Sequence, residues 1–171
     1  MASSVRLQWW AIILCGVCAG ALGATPAGAH DLAGVDVIGR WPHGPAQAVA
    51  NAGDLLYMGS GARMRVIDIS DPVSPTVVGE VWLPGVVEDL AVDEGYAVVA
   101  LGDDGVRVVN VNVPTAPRVV GAVDTPGNAL GIAVADGYVY VADDREGLRV
   151  IDLSVPTSPV EIAWVPTPGY A

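Results

Sequence analysis

The sequence contains no phenylalanine and no lysine, and its only two cysteines lie close together near the N-terminus. All eight basic residues are therefore arginines, against 19 acidic residues, which gives a formal net charge of −11. Because the phosphates of nucleic acids are bound by clustered basic side chains, we do not expect a nucleic-acid partner. An acidic surface also keeps an apolar protein in solution, so the charge alone assigns no partner.

The chain is also poor in charged residues, which make up 16% of it, whereas 52% of its residues are hydrophobic. A disordered chain has the opposite composition, so we expect one folded domain with a buried core. After the N-terminal segment no stretch has apolar residues at helical spacing, and 21 glycines and 13 prolines supply turns. This pattern predicts an all-β protein.

Long apolar runs are absent except for one, residues 9–22. Arg6 precedes the run, and residues 27–29 follow it with the small side chains that a signal peptidase requires. The run is short for a bilayer span, which needs about 20 residues. We predict a cleaved signal peptide at 1–29 and a short mature lead at 30–34, with an uncleaved N-terminal anchor as the alternative.

Both cysteines, Cys15 and Cys18, lie inside this run, so their CxxC spacing predicts no redox or metal site in the mature chain. Leu14 and Val17 stand where a lipoprotein signal requires a small residue, which makes lipidation unexpected. The mature protein would then have no disulfide in an oxidising compartment. We expect it in the periplasm, outside the cell or on the cell surface, with no membrane attachment after cleavage.

One phrase occurs three times, as RVIDISDPVSP (65–75), RVVNVNVPTAP (107–117) and RVIDLSVPTSP (149–159). The three arginines that begin it, Arg65, Arg107 and Arg149, are 42 residues apart. Each unit has four short segments rich in β-forming residues, with a Gly/Asp turn before the third and two prolines before the fourth. Four antiparallel strands at this period are typical of a β-propeller blade.

The number of copies does not close a ring, which normally needs four to eight blades. We predict repeats at 35–76, 77–118 and 119–160, a further outer strand at 161–165 and the start of another repeat at 166–171. Three blades leave two apolar sheet faces uncovered. We therefore expect about three blades of an incomplete propeller, either as a fragment of a larger one or as an arc that needs a second copy.

The segments MRVIDISDPVSP (64–75) and LRVIDLSVPTSP (148–159), with the VVG strand that follows and the GYVYVA strand that precedes, carry a family resemblance. The unit resembles the LVIVD repeat of bacterial secreted and surface proteins. The resemblance covers about 35–165. It implies a propeller and little about activity.

Six polar residues define the repeat and are the first candidates for a site: Arg65, Asp68, Arg107, Asn110, Arg149 and Asp152. In each copy the arginine stands three residues before the acid or amide, and residues i and i+3 of a strand point to opposite faces. The two side chains of one copy therefore cannot form a catalytic dyad. We interpret all six as polar contacts between strands or blades.

Acidic residues also recur at the predicted hairpin tips, as Asp103, Asp104, Asp143 and Asp144. Clustered carboxylates can bind Ca²⁺ together with backbone carbonyls, which makes these four the calcium candidates. The first copy has Gly61 and Ala62 at this place, and a solvated tip explains the acids as well. We expect no cofactor, with Ca²⁺ as the alternative.

Glu88 and Asp89 begin a predicted inner strand and are the one carboxylate pair that suggests glycoside hydrolysis. Adjacent strand residues face opposite ways, and the other copies have no carboxylate there. No nucleophile elbow, phosphate loop or dinucleotide fingerprint occurs. We predict a non-enzymatic protein that binds a protein or glycan ligand. The alternative is a propeller hydrolase whose catalytic part lies in loops or in a missing segment.

Overall fold

A computed structural model of the chain describes residues 46–169 and residue 171. The predicted signal peptide and the short lead that follows it lie outside the described residues, as does the segment 35–45. The described residues form twelve β-strands and one turn of 3-10 helix at Asp144–Glu146, with no α-helix among them. In this part of the chain no helix is long and apolar enough to cross a membrane.

The strands form three antiparallel sheets, each built from four consecutive strands in their order along the chain. The first sheet consists of β1 (Ala48–Ala52), β2 (Leu55–Gly59), β3 (Arg63–Asp68) and β4 (Thr76–Trp82). The second consists of β5 (Asp89–Asp93), β6 (Tyr96–Ala100), β7 (Val106–Asn110) and β8 (Arg118–Val123). The third consists of β9 (Gly131–Ala135), β10 (Tyr138–Ala142), β11 (Leu148–Asp152) and β12 (Val160–Val165). The all-β class and the three four-stranded blades of an incomplete propeller are confirmed.

The second sheet is buried on both faces. Ala97 and Val99 of β6 pack into a cluster with side chains of the first sheet, whereas Val98 and Ala100 pack into a cluster with side chains of the third. All four side chains are 0% exposed. Because alternate residues of a strand point to opposite faces, a strand covered on both sides is apolar throughout, as the sequence YAVVA is.

The turn between the third and fourth strands holds the two prolines of each repeat, and we call it the Pro turn: residues 72–75, 114–117 and 156–159. In two sheets the fourth strand has a glycine, Gly79 or Gly121, that lies directly against the Pro turn of the following sheet. A Cβ at either glycine would collide with the carbonyl oxygen of Pro114 or Pro156. A side chain is therefore excluded from this contact, which we call the glycine seat.

The third sheet has alanine at the seat position. Ala163 pairs with Val150 in the register in which Gly121 pairs with Val108 of the second sheet. Ala163 is exposed, because no further sheet packs against β12 among the described residues.

Candidate functional site

The recurring acid or amide of the repeat phrase shapes the turn that follows the third strand. Oδ1 of Asp68 accepts a hydrogen bond from the backbone N–H two residues further on, at 2.8 Å. Oδ1 of Asp152 accepts the equivalent bond at 2.7 Å, and the amide oxygen of Asn110 accepts it at 3.0 Å. A carboxylate and an amide make this bond equally well, which explains why the second copy tolerates asparagine.

Hydrogen bonds from the serine two residues further on, through its side chain and its backbone N–H, lower the pKa of two exposed carboxyl groups. For Asp68 the largest cause is the side chain of Ser70, followed by the backbone N–H of that serine. For Asp152 the backbone N–H of Ser154 is the largest cause and its side chain the second. Both pKa values lie below the ordinary 3.8, so these groups are charged near neutral pH and are acceptors rather than acids.

The recurring arginines contact acids on neighbouring segments rather than the Asp or Asn of their own phrase. Nε of Arg65 lies 3.6 Å from Oε2 of Glu80 in the adjacent strand β4. Nη1 of Arg107 lies 3.5 Å from Oδ1 of Asp124 and donates to the carbonyl of Asp104 at 2.8 Å. Arg65 thus connects the third strand to the fourth, and Arg107 connects the third strand to the turn that precedes it and to the residue that follows the fourth strand.

Arg149 forms a more enclosed cluster. Its side chain is 8% exposed and lies within 3.1–3.4 Å of carboxylate oxygens of Asp143, Glu146 and Glu161. Asp143 is fully buried, and its Oδ2 also accepts the backbone N–H of Gly127 at 3.0 Å. The guanidinium therefore ties the hairpin tip to the outer strand, while Asp143 ties the tip to the segment between the second and third sheets.

Two arginines also lie against tryptophan rings in the outer strands. The guanidinium carbon of Arg63 is 3.9 Å from the ring centroid of Trp82, and that of Arg149 is 5.5 Å from the centroid of Trp164. Both distances are within the range of cation–π attraction. In the first and third sheets the exposed indole of the fourth strand therefore lies on the sheet face that carries the recurring arginine.

The four predicted calcium candidates do not converge on one point. Asp103 and Asp104 are exposed at the tip of the second sheet, whereas Asp143 is buried against Arg149. Asp144 begins the 3-10 turn with φ of 51°. Within 46–169 no group of three or more His, Cys, Asp or Glu side chains could hold a metal ion. The geometry supports solvated tips and a structural ion pair.

Glu88 and Asp89 do not form an acid–base pair. Glu88 is exposed, while Oδ1 of Asp89 accepts the next backbone N–H and its Oδ2 accepts the N–H of Ile132, both at 2.8 Å. Ile132 lies in the inner strand of the third sheet, so this carboxylate joins two neighbouring sheets. In the first copy Gln47 makes a different bond, accepting the N–H of Gly61 at 2.7 Å.

The third sheet has one face without a neighbouring sheet. Val150 at its centre pairs with Tyr140 on one side and with Ala163 on the other, opposite the side chains packed on the second sheet. We call this surface the open face, and it consists of Tyr140, Ala142, Leu148, Val150, Ala163 and Val165. The equivalent residues of the second sheet include Val98, Ala100, Val106 and Val108. They pack against the third sheet and are at most 1% exposed. Val165, in contrast, is 53% exposed.

The sequence predicted two uncovered faces, and only one is open to this degree. On the outward face of the first sheet, Met58 is 3% and Ile67 1% exposed. Periodicity reveals which residues point away from the centre of the arc, but not which of them a fold leaves uncovered. The repeat pattern therefore predicts the open face as one of two terminal sheet faces, but it does not distinguish it from the outward face of the first sheet.

The LVIVD repeat family model matches the chain at 43–82, 84–125 and 126–167. The chain belongs to the LVIVD repeat family. Each match runs from before the first strand of a sheet to its fourth strand or just beyond it, so one LVIVD repeat corresponds to one complete sheet. No curated protein matches the chain.

The fold of this LVIVD chain is similar to the crystal structure of the computationally designed Ika4 protein. The TM-score is 0.65 at 11% sequence identity, and the alignment covers 80% of this chain and 83% of the designed one. At this identity the similarity shows the fold alone. In each LVIVD repeat the recurring phrase (65–75, 107–117 and 149–159) forms most of the third strand, the capped turn after it and the Pro turn.

Proposed function

We propose that this LVIVD chain is an exported, non-enzymatic scaffold that binds a protein partner through its open face. The observation that carries the proposal is the exposure of an apolar sheet face whose counterparts in both other sheets are buried. Contiguous apolar surface is uncommon on soluble monomers and is typical of the centre of protein interfaces. A glycan ligand would fit this face less well, because all six of its residues except Tyr140 lack a polar side-chain group.

The polar residues of the repeat support a scaffold role because the fold already uses them. Asp68 and Asp152 cap turns, Arg149 balances buried Asp143, and Asp89 joins two sheets. A propeller hydrolase would need two carboxylates free to exchange protons with a substrate. Asp89 has both oxygens bonded to backbone N–H groups, so it is a poor candidate for such a carboxylate.

Export is the part of the proposal that the N-terminal sequence supports. If residues 1–29 are a cleaved signal, protein recovered from the periplasm or the medium will begin at His30, and mass spectrometry of the intact chain measures this directly. Protein that retains Arg6 and remains in the membrane fraction would favour the anchor instead.

Binding is tested by comparing two matched variants. Val165 and Val155 are both 53% exposed, but only Val165 lies on the open face, since Val155 precedes the Pro turn of the third sheet. We expect wild-type protein and V155E to retain the same partner from an extracellular fraction, and V165E to lose it. Equal retention by all three proteins would place the binding surface elsewhere and contradict the proposal.

A further inference from the structure

The glycine seat shows that the open face is not shaped for a further repeat packed like the others. In the first two sheets the carbonyl of the following Pro turn occupies the space of the missing Cβ at Gly79 and Gly121. Ala163 has that Cβ. A repeat docked on the third sheet in the same geometry would therefore collide with it, because backbone cannot give way as the end of a flexible side chain can.

A head-to-tail contact between two copies meets a second obstacle. It would bring the outward face of the first sheet onto the open face, and the Pro turn at 72–75 onto Ala163. On that outward face Met58 and Ile67 are already buried, so their side chains are not available to a partner. The same face exposes Trp82 with the guanidinium of Arg63 over its ring, so a charged group would meet the uncharged open face.

The open face itself suits a copy of the same surface. Its six residues carry no charge, so two such faces can meet without bringing like charges together at their centre. The remainder of a chain with net charge −11 would repel a second copy at most other places. Two β-sheets pack face to face readily, and a contact of a surface with itself closes after two copies.

We propose that the open face of one chain pairs with the open face of a second copy around a two-fold axis. This inference rests on the proposed function and names the partner of the same surface. The two third sheets form an apolar sandwich in which Val150 lies near the centre. The face of each third sheet that carries Arg149 and Trp164 remains directed toward the second sheet of its own chain.

The test expresses the full 171-residue sequence and measures the mass of the recovered protein in solution by light scattering. Mass spectrometry gives the mass of the single chain, with or without residues 1–29. We expect wild-type protein and V155E to have twice the chain mass, and V165E and V165R each to have the mass of one chain. Mixing V165E with V165R should restore the double mass, because a two-fold contact brings the opposite charges onto facing surfaces. Far-UV circular dichroism verifies that each variant is folded.

The outcomes separate this inference from the proposed function. Double mass that persists in both V165E and V165R would overturn the inference, since another surface would then hold the dimer. A monomeric wild type that captures another protein, with capture lost in V165E and kept in V155E, would overturn the second copy as partner and leave the proposed function standing. A monomeric wild type that captures nothing would overturn both.

Discussion

Asp68, Asn110 and Asp152 occupy equivalent positions and make the same hydrogen bond although one of them carries no charge. What the position requires is an oxygen acceptor two residues before a backbone N–H, not an ionised group. A motif with an arginine and an acid suggests chemistry, but each repeat uses its arginine and its acid on opposite faces. The polar pattern of the repeat is thus a description of turns and strand contacts.

The two serines that follow these acids allow a matched pKa experiment. Replacing Ser70 by alanine removes the largest cause of the lowered pKa of Asp68, whereas replacing Ser154 removes only the second cause at Asp152. We expect S70A to raise the pKa of Asp68 more than S154A raises that of Asp152. Carboxyl ¹³C NMR titration measures both, and an equal or reversed response would contradict this ordering of causes.

The sign of the effect on stability follows from the same shifts. A carboxyl whose pKa is lower in the folded state stabilises the fold fully above its unfolded-state pKa, and this contribution is lost as pH falls through the folded-state pKa. S70A therefore weakens the fold near neutral pH and reduces the part of acid destabilisation due to Asp68. Above the unfolded-state pKa, this contribution of Asp68 does not change with pH.

Arg149 and Arg65 provide a second residue-scale comparison, because they are equivalent in sequence and differ in burial. Replacing Arg149 by methionine leaves fully buried Asp143 without its ion pair, which costs about 3–5 kcal/mol of unfolding free energy. Replacing Arg65 leaves half-exposed Glu80, and the cost is about 0–1 kcal/mol. Urea denaturation measures both. Similar losses for R149M and R65M would show that the burial of Asp143 has no energetic consequence.

At the scale of elements, the contact between a fourth strand and the next Pro turn controls how sheets stack. Replacing Gly121 by alanine places a Cβ against the carbonyl of Pro156, and overpacking of this kind costs about 1–3 kcal/mol. The reverse change at the equivalent position, A163G, costs at most about 1 kcal/mol, as glycine does in a strand. Thermal unfolding compares the two, and a neutral G121A would show that the seat is not tight.

The sequence predicted the elements of this fold well because each repeat has its own strong local signals. The β-forming residues, the Gly/Asp hairpin tips and the paired prolines of each repeat predict four strands and their turns without information on any contact between residues. Which residues pair between adjacent strands was harder to predict from the sequence. Val66 pairs with Tyr57 in the first sheet and Val108 with Val98 in the second, so the repeat interval is 42 residues in the third strand but 41 in the second strand. That one-residue difference lies in a hairpin loop, where the sequence tolerates it.

Contacts between elements of different repeats were the part that pattern could not supply. The bond that the N–H of Ile132 donates to Asp89 crosses from one repeat to the next, and the bond that the N–H of Gly127 donates to Asp143 joins a hairpin tip to the segment between two sheets. Among the described residues neither bond recurs in identical form in another copy. A repeat pattern contains only what the copies share, so a contact that occurs in one copy cannot be predicted from it. The glycine seat, by contrast, is visible as Gly79 and Gly121 in the sequence once the structure shows its purpose.

At the scale of the whole described arc, stability is expected to be graded from the middle sheet outward. The side chains of β6 pack on both neighbouring sheets, whereas β12 pairs with one strand and is exposed along most of its length. We expect backbone amides of β6 to exchange with solvent only through global unfolding, and those of β12 in the single-chain V165E variant to exchange through local opening. Hydrogen-exchange mass spectrometry measures this gradient. Uniform protection of the second and third sheets in V165E would contradict this gradient, whereas stronger protection of β12 in wild-type protein than in V165E is expected if a second copy covers the open face.

The seat has a consequence for how such a chain could grow over evolutionary time. Glycine and alanine codons differ by a single nucleotide, so one base change at this position adds or removes the methyl group that a duplicated repeat stacked beyond it would meet. The contact is also directional, since the strand of one repeat receives the turn of the next and never the reverse. A methyl group at the seat thus disfavours a repeat stacked after it and has no such effect on the repeat before it. An engineer who wishes to stack a designed repeat on the third sheet would begin with A163G.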